Sequence, residues 1–237
     1  MSLASLIKVS AIKGLNEALS RPCVSTTDAD ARYAAAIILT YQSAYMPNGL
    51  MDLLHMMRGW MTISSTLVID PDTSLFRGFT RESFVGSMME YVGDLPGPRG
   101  STMMDDFFAS LSLIAPLCQS DAELRYLAAL KKLGTLARDS PMDAFVEMVP
   151  CYALTNKMTE DEFSQFVDPA NSVAQVLIAH FLVLNHALEL QFAGSKQCGQ
   201  YAFCKDITRA WIQNISESLP VGFQRYVIWP LAIMSLY

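Results

Sequence analysis

Charge is scarce in this 237-residue chain: 17% of its residues are Asp, Glu, Lys or Arg, against roughly 25% in an average soluble domain. What charge there is leans acidic, with 17 basic and 23 acidic residues giving a net −6. Such a field does not attract polyanions, so a self-sufficient nucleic-acid binder is disfavoured and no direct nucleic-acid binding by this chain is expected. Cysteine is sparse and unpatterned, at 23, 118, 151, 198 and 204. An odd number with no CxxC pair argues against a disulfide framework and a zinc site, and suits a reducing compartment. GxSxG, Walker A, HExxH and GxGxxG are all missing, as are internal repeats and convincing strand alternation. The phosphate-cradling loops and the common hydrolase signatures therefore have no counterpart. Lys131-Lys132 is too small to be a basic import cluster, and the N-terminus lacks a basic segment ahead of an unbroken apolar run, so a signal peptide is not expected.

What is present is apolar material, 51% of residues, ample to offset the entropy of ordering. The most apolar stretch, 172–190, carries Gln175, His180, Asn185, His186 and Glu189. Those groups are costly in a bilayer, which predicts a buried core helix rather than a membrane span. Helical spacing recurs almost throughout. Leu3, Leu6, Ile7, Ala11, Leu15, Ala18 and Leu19 follow the i, i+3, i+4 rule, and Arg21-Pro22 ends that segment. A second helix runs from caps at Ser25–Asp30 to Tyr45, and Pro47-Asn48-Gly49 is a turn whose Asn and Gly tolerate positive φ. A third spans about 50–67 and another about 82–91. The proline- and glycine-rich 95–100 is the strongest breaker, read as a helix connection rather than a domain boundary.

Ser120–Glu123 and Thr159–Glu162 are capping boxes, the first opening a helix with Leu124, Leu127, Ala128, Leu130 and Leu133 as its stripe. Pro141 suits a helix's first position, and further helices are expected over 170–192, 201–218 and 221–234. The fold class is all-α: a single-domain helical bundle of about eight to ten helices, residues 1–237, with an apolar pocket.

Few motifs carry chemistry. Asp105-Asp106 lacks the third acid that a magnesium cluster needs, so the pair reads as dipole-favourable charge at a helix N-terminus. Ser5–Lys8 and Ser10–Lys13 match S-x-x-K without its companion elements. His180 and His186, six apart on one helix, face different ways and do not chelate one metal; His55 reads as a core or pocket-wall imidazole. No metal site, cofactor or catalytic constellation is expected, and the chain is not read as an enzyme. Fourteen methionines, clustered at 46–61 and around 88–104, suit irregular apolar ligands as well as plain core filling.

Two stretches go further. Residues 30–59, with Tyr41-Gln42-Ser43, the turn Met46–Leu50 and Arg58-Gly59, resemble the regulatory domain of fungal zinc-cluster transcription factors, nearest the sterol uptake control proteins. Ala179-His180-Phe181, Trp211-Ile212 and Tyr226–Leu231 resemble the C-terminal part of the same domain, while 70–165 is only loosely similar. The resemblance implies a helical domain that senses an apolar small molecule, in that subgroup ergosterol, and switches a transcription factor's activity by ligand-dependent repacking. It also implies a nuclear location, with the cytoplasm as the alternative. The family's zinc-cluster DNA-binding region has no counterpart here, so the domain is expected to be N-terminally incomplete.

A sterol needs a deep apolar slot with one polar group for its hydroxyl. Met51, Leu54, Met57, Trp60 and Met61 are the candidate walls on one side, with His180, Phe181 and Leu184 opposite. Gly194 and Gly199 bracket a candidate hinge loop. Expected partners are a sterol or other apolar lipid and a second copy or co-regulator protein. The competing reading is a ligand-free dimerisation or protein-interaction module.

Overall fold

A computed structural model describes residues 3–66, 72–78, 83, 86, 101–193 and 198–236. Among these the chain is all-α, with ten α-helices, three short 3-10 helices and no strand. The sequence reading expects one domain, but the chain divides into two compact units, Met1–Tyr91 and Val92–Tyr237. The division falls just before the breaker at 95–100, whose Pro and Gly content suits a boundary as well as a connection.

The first unit holds α1 (Leu3–Leu19), α2 (Thr26–Ala44) and α3 (Leu50–Thr66), with α2 packed against both neighbours. Ser25 caps α2, its hydroxyl accepting from the Asp28 amide at 3.2 Å. Tyr33, Ala36 and Ile37 of α2 and Ile63 of α3 form the core, with Leu15, Leu19, Trp60 and Phe76 packed on it. The α1 stripe differs from the expected one. Ile7 and Ala11 are exposed, while Lys8 is buried and donates to Asp52 at 2.6 Å. An ion pair with a residue 44 positions away rotates the buried face of α1.

The charged side chains Arg32 and Asp30, buried in this unit, have partners, whereas the buried Trp60 indole nitrogen has none among the described residues. Arg32 donates to both carboxylate oxygens of Asp28, at 3.0 and 2.6 Å, and to the carbonyls of Arg21 and Pro22, clamping the α1–α2 connection. Asp30 accepts from the Ser74 hydroxyl at 2.6 Å and the Leu75 amide at 2.8 Å, tying 74–75 to α2. Gly49 is required for a different reason than expected. Its φ is not positive; a Cβ there overlaps the Ser43 carbonyl oxygen.

The second unit contains α4 (Ser101–Ile114), α5 (Asp121–Asp139), α6 (Pro141–Tyr152), α7 (Glu160–Phe166), α8 (Ser172–Ala193), α9 (Cys198–Ser218) and α10 (Ile228–Leu236). Short 3-10 turns occupy Ala115–Leu117, Ala153–Lys157 and Val221–Val227, the last where α-helix is expected. Pro230 sits in the first turn of α10, where its missing N–H costs nothing. Both capping boxes form, at Ser120/Glu123 and Thr159/Glu162. Glu123 also accepts from the Asn171 side chain at 3.0 Å, and Asn171 in turn accepts from the Ala174 amide, so one buried carboxylate joins the starts of α5 and α8.

The stripe of α5 runs through Tyr126, Leu127, Leu130, Leu133 and Ala137; Leu124 and Ala128, expected within it, are exposed. Gly134 lets α4 approach closely, since a Cβ there lies 2.6 Å from the Phe107 ring.

α8 organises this unit. It packs against α4, α5, α6, α9, α10 and the 221–227 turn, and every residue from Ala174 to Leu188 is buried. Its 172–189 window has the length and hydropathy to cross a membrane, but it is mostly buried inside the protein. A helix apolar all round belongs in a core, and packing on all sides supplies the environment its composition demands.

Candidate functional site

The two sets of candidate wall residues fall in different units, and within each unit they diverge. On α3, Met51, Leu54, Met57 and Met61 share one side, with Leu54 buried and the methionines half-buried. Trp60 lies about 120° from Leu54 around the helix. It joins the first unit's core instead, its ring 6.2 Å from that of Tyr33. His55, expected at a core or pocket wall, is on the exposed face.

On α8, His180, Phe181 and Leu184 are all buried. Phe181 packs edge-on against Tyr152 of α6, at 4.7 Å, and Tyr126 of α5, at 6.2 Å. His180, the next residue, turns about 100° away. It meets α4 and α10, stacking on Trp229 at 5.3 Å with the rings 15° apart and lying 6.2 Å from Phe107. The two side chains, read from the sequence as parts of one wall, thus pack against different elements.

The His180 environment is specific. Its Nδ1 lies 2.8 Å from the Val176 carbonyl oxygen, which only an N–H can satisfy. Nε2 is therefore the bare nitrogen and accepts from the Ser110 hydroxyl of α4 at 2.8 Å. A hydroxyl, an imidazole and an orienting carbonyl in line are the parts of an activated nucleophile. Burial, however, pushes the His180 pKa down to about 4. The imidazole is therefore uncharged near neutrality, and through Ser110 it forms a hydrogen-bonded link between α4 and α8. Ser110 and Trp229 escaped the sequence reading; the resemblance named only the segment around Trp229.

Further along α8, Asn185 donates to Glu189 at 2.7 Å, and burial raises the Glu189 pKa. His186 is buried and has no hydrogen-bond partner for either ring nitrogen among the described residues. Burial lowers its pKa, and the nearby charges of Lys205 and Arg209 on α9 lower it further.

The remaining candidates resolve simply. α4 begins at Ser101, so Asp105-Asp106 sit in its second turn rather than at its N-terminus, and Asp105 pairs with Arg138 of α5 at 2.5 Å. Among the described residues no group of His, Cys, Asp and Glu is arranged to hold a metal. Burial pushes the Cys118 thiol up to about 11 and the Cys151 thiol up to about 12, leaving both unreactive near neutrality. Gly194 lies outside the described residues. Gly199 lies within the first turn of α9, which begins at Cys198 rather than Tyr201.

Fold and site together define an all-α protein of two helical units, the second built around a buried helix that carries neutral imidazoles. No family model, curated protein or solved structure matches the chain.

Proposed function

We propose that this protein is a ligand-responsive regulatory domain for transcription that senses a sterol or similar apolar molecule through its helical core. The observation that carries the reading is where the resembling C-terminal segments lie. Ala179-His180-Phe181 on α8, Trp211-Ile212 on α9 and Tyr226–Leu231 are elements of one packed unit, with His180 stacked on Trp229. A core whose central helix buries His180, His186, Asn185 and Gln175 among aliphatic residues combines apolar walls with a few polar groups, the chemistry a hydroxyl-bearing lipid requires. Binding stabilises one packing of the C-terminal helices and so alters a surface read by a partner. On this reading the protein acts in the nucleus.

Thermal unfolding with and without ergosterol, with cholesterol and palmitate as comparisons, tests the reading. A ligand at a hundred times its Kd stabilises by about 2.7 kcal/mol, which for a chain of this size raises Tm by roughly 5–10 °C. A sterol-selective rise is expected. A cooperative transition indifferent to every lipid overturns the reading.

One feature of the surface favours the second reading, a ligand-free interaction module. Ile38 and Tyr41 of α2 and Tyr45, which caps its C-terminus, form an exposed apolar stripe, at 65%, 58% and 50% exposure. Concentration-dependent sedimentation in the absence of lipid is its test.

A further inference from the structure

We propose that His186 is the polar anchor of the ligand site, hydrogen-bonding the hydroxyl group of a neutral, largely apolar molecule. The inference deepens the sensing function proposed above and rests on it.

His186 is 2% exposed, yet both of its ring nitrogens lack a hydrogen-bond partner among the described residues. A buried polar group without a partner is expensive, and native proteins keep few of them. The other buried polar side chains of α8 are engaged. His180 bonds Val176 and Ser110; Gln175 bonds Pro169 and Ser218; Asn185 bonds Glu189. His186 alone among them is unsatisfied, on a helix that supplies partners to its neighbours.

The surroundings determine which chemistry suits it. Leu182 and Val183, four and three residues back along α8, share its face and are buried, so the bulk of a ligand here is apolar. The charged groups near it are Lys205 and Arg209 of α9, with the titratable Glu189 on its own helix, which accepts from the neutral Asn185 amide. Arg209 is already occupied, donating to the Met234 carbonyl at 3.2 Å and lying 3.7 Å from Asp206. The two cations and the burial together keep the imidazole uncharged. A neutral imidazole presents one N–H and one bare nitrogen. A hydroxyl complements either, donating to the bare nitrogen or accepting from the N–H. A carboxylate complements only the N–H.

The test uses the full chain with three probes: ergosterol, its 3-acetate, which has lost the hydroxyl hydrogen, and palmitate. Wild-type protein is expected to bind ergosterol about tenfold more tightly than the acetate, the factor that one hydrogen bond supplies. His186→Leu is expected to abolish that preference while leaving acetate binding in place, and His186→Gln to restore part of it. Without ligand, His186→Leu is expected to raise Tm by a few degrees, since the unsatisfied group is gone. This gain also guards against loss of binding through unfolding. A preference for the hydroxyl that survives in His186→Leu overturns the anchor while leaving the sensing reading intact. So does palmitate binding that depends on His186 without any sterol preference. Wild-type protein that binds none of the three overturns the sensing reading, and the anchor falls with it.

Discussion

α2 and α8 both bury polar side chains, and they differ in what surrounds them. α2 is a one-sided helix: Tyr33, Ala36 and Ile37 face its unit's core, while Ile38, Tyr41 and Tyr45 face outward. All of its buried polar groups are held, Asp30 by Ser74 and Leu75 and the others by nearer bonds. Thr40 and Ser43 donate to carbonyls four residues back, and Arg32 is saturated by Asp28 and two backbone oxygens. α8 is enclosed on every side and takes partners both from itself, Val176 for His180 and Glu189 for Asn185, and from other elements, Ser110 of α4 for His180 and Ser218 for Gln175. Where that supply stops, at His186, a polar group is buried without compensation. Polar burial in α2 fixes the chain's path; in α8 it leaves one group whose cost has no structural return.

The sharpest break in this comparison is a cavity in α8. Leu177 is fully buried at the centre of the second unit. Leu177→Ala is expected to cost about 3–4 kcal/mol, because a helix packed on all sides cannot collapse into the space. In a chain of this length the loss reads as a drop of roughly 10 °C in Tm. A change of less than about 1 kcal/mol in denaturant unfolding shows that α8 is not the rigid centre described.

The second test uses pH. His180 in an unfolded chain takes its proton near the ordinary value of 6.5, but in the fold only near 4. Between these values the unfolded chain binds a proton that the folded chain refuses, so stability falls as the pH is lowered through that window. The full effect is on the order of 3 kcal/mol. His186, also lowered, adds in the same direction; Glu189, raised by burial, opposes it. His180→Gln, which keeps a hydrogen-bonding side chain but does not titrate, is expected to flatten the slope between pH 6.5 and 4. An unchanged slope in that variant, measured by urea unfolding, assigns the pH dependence elsewhere.

What was legible in the sequence follows from the range of the forces. Capping boxes depend on residues three apart, and both form at the residues read, Ser120/Glu123 and Thr159/Glu162. The buried character of α8 was legible because fifteen successive positions tolerate only a core. Errors arose where tertiary contacts choose between faces. Lys8 is buried because Asp52 reaches it, and Leu124 is exposed because the stripe of α5 faces Phe107 and α8 through Tyr126, Leu130 and Gly134. His180 and Phe181 pack against different elements, and no pattern in the sequence reveals that Ser110, 70 positions away, is the partner of His180.

The smallest expected effect sharpens the comparison from the other side. Ile38→Ser and Tyr41→Ser remove apolar groups that already meet solvent, at 65% and 58% exposure, so each is expected to change stability by no more than about 0.5 kcal/mol. That near-silence is informative when set against association. If α2 presents its stripe to a second copy or another protein, the double variant shifts sedimentation or partner capture while Tm stays fixed, since hot spots at interfaces contribute to binding rather than to the fold of the monomer. If both variants unfold several degrees lower instead, the stripe is packed within the protein in solution, and the distinction between a one-sided α2 and an enclosed α8 no longer holds.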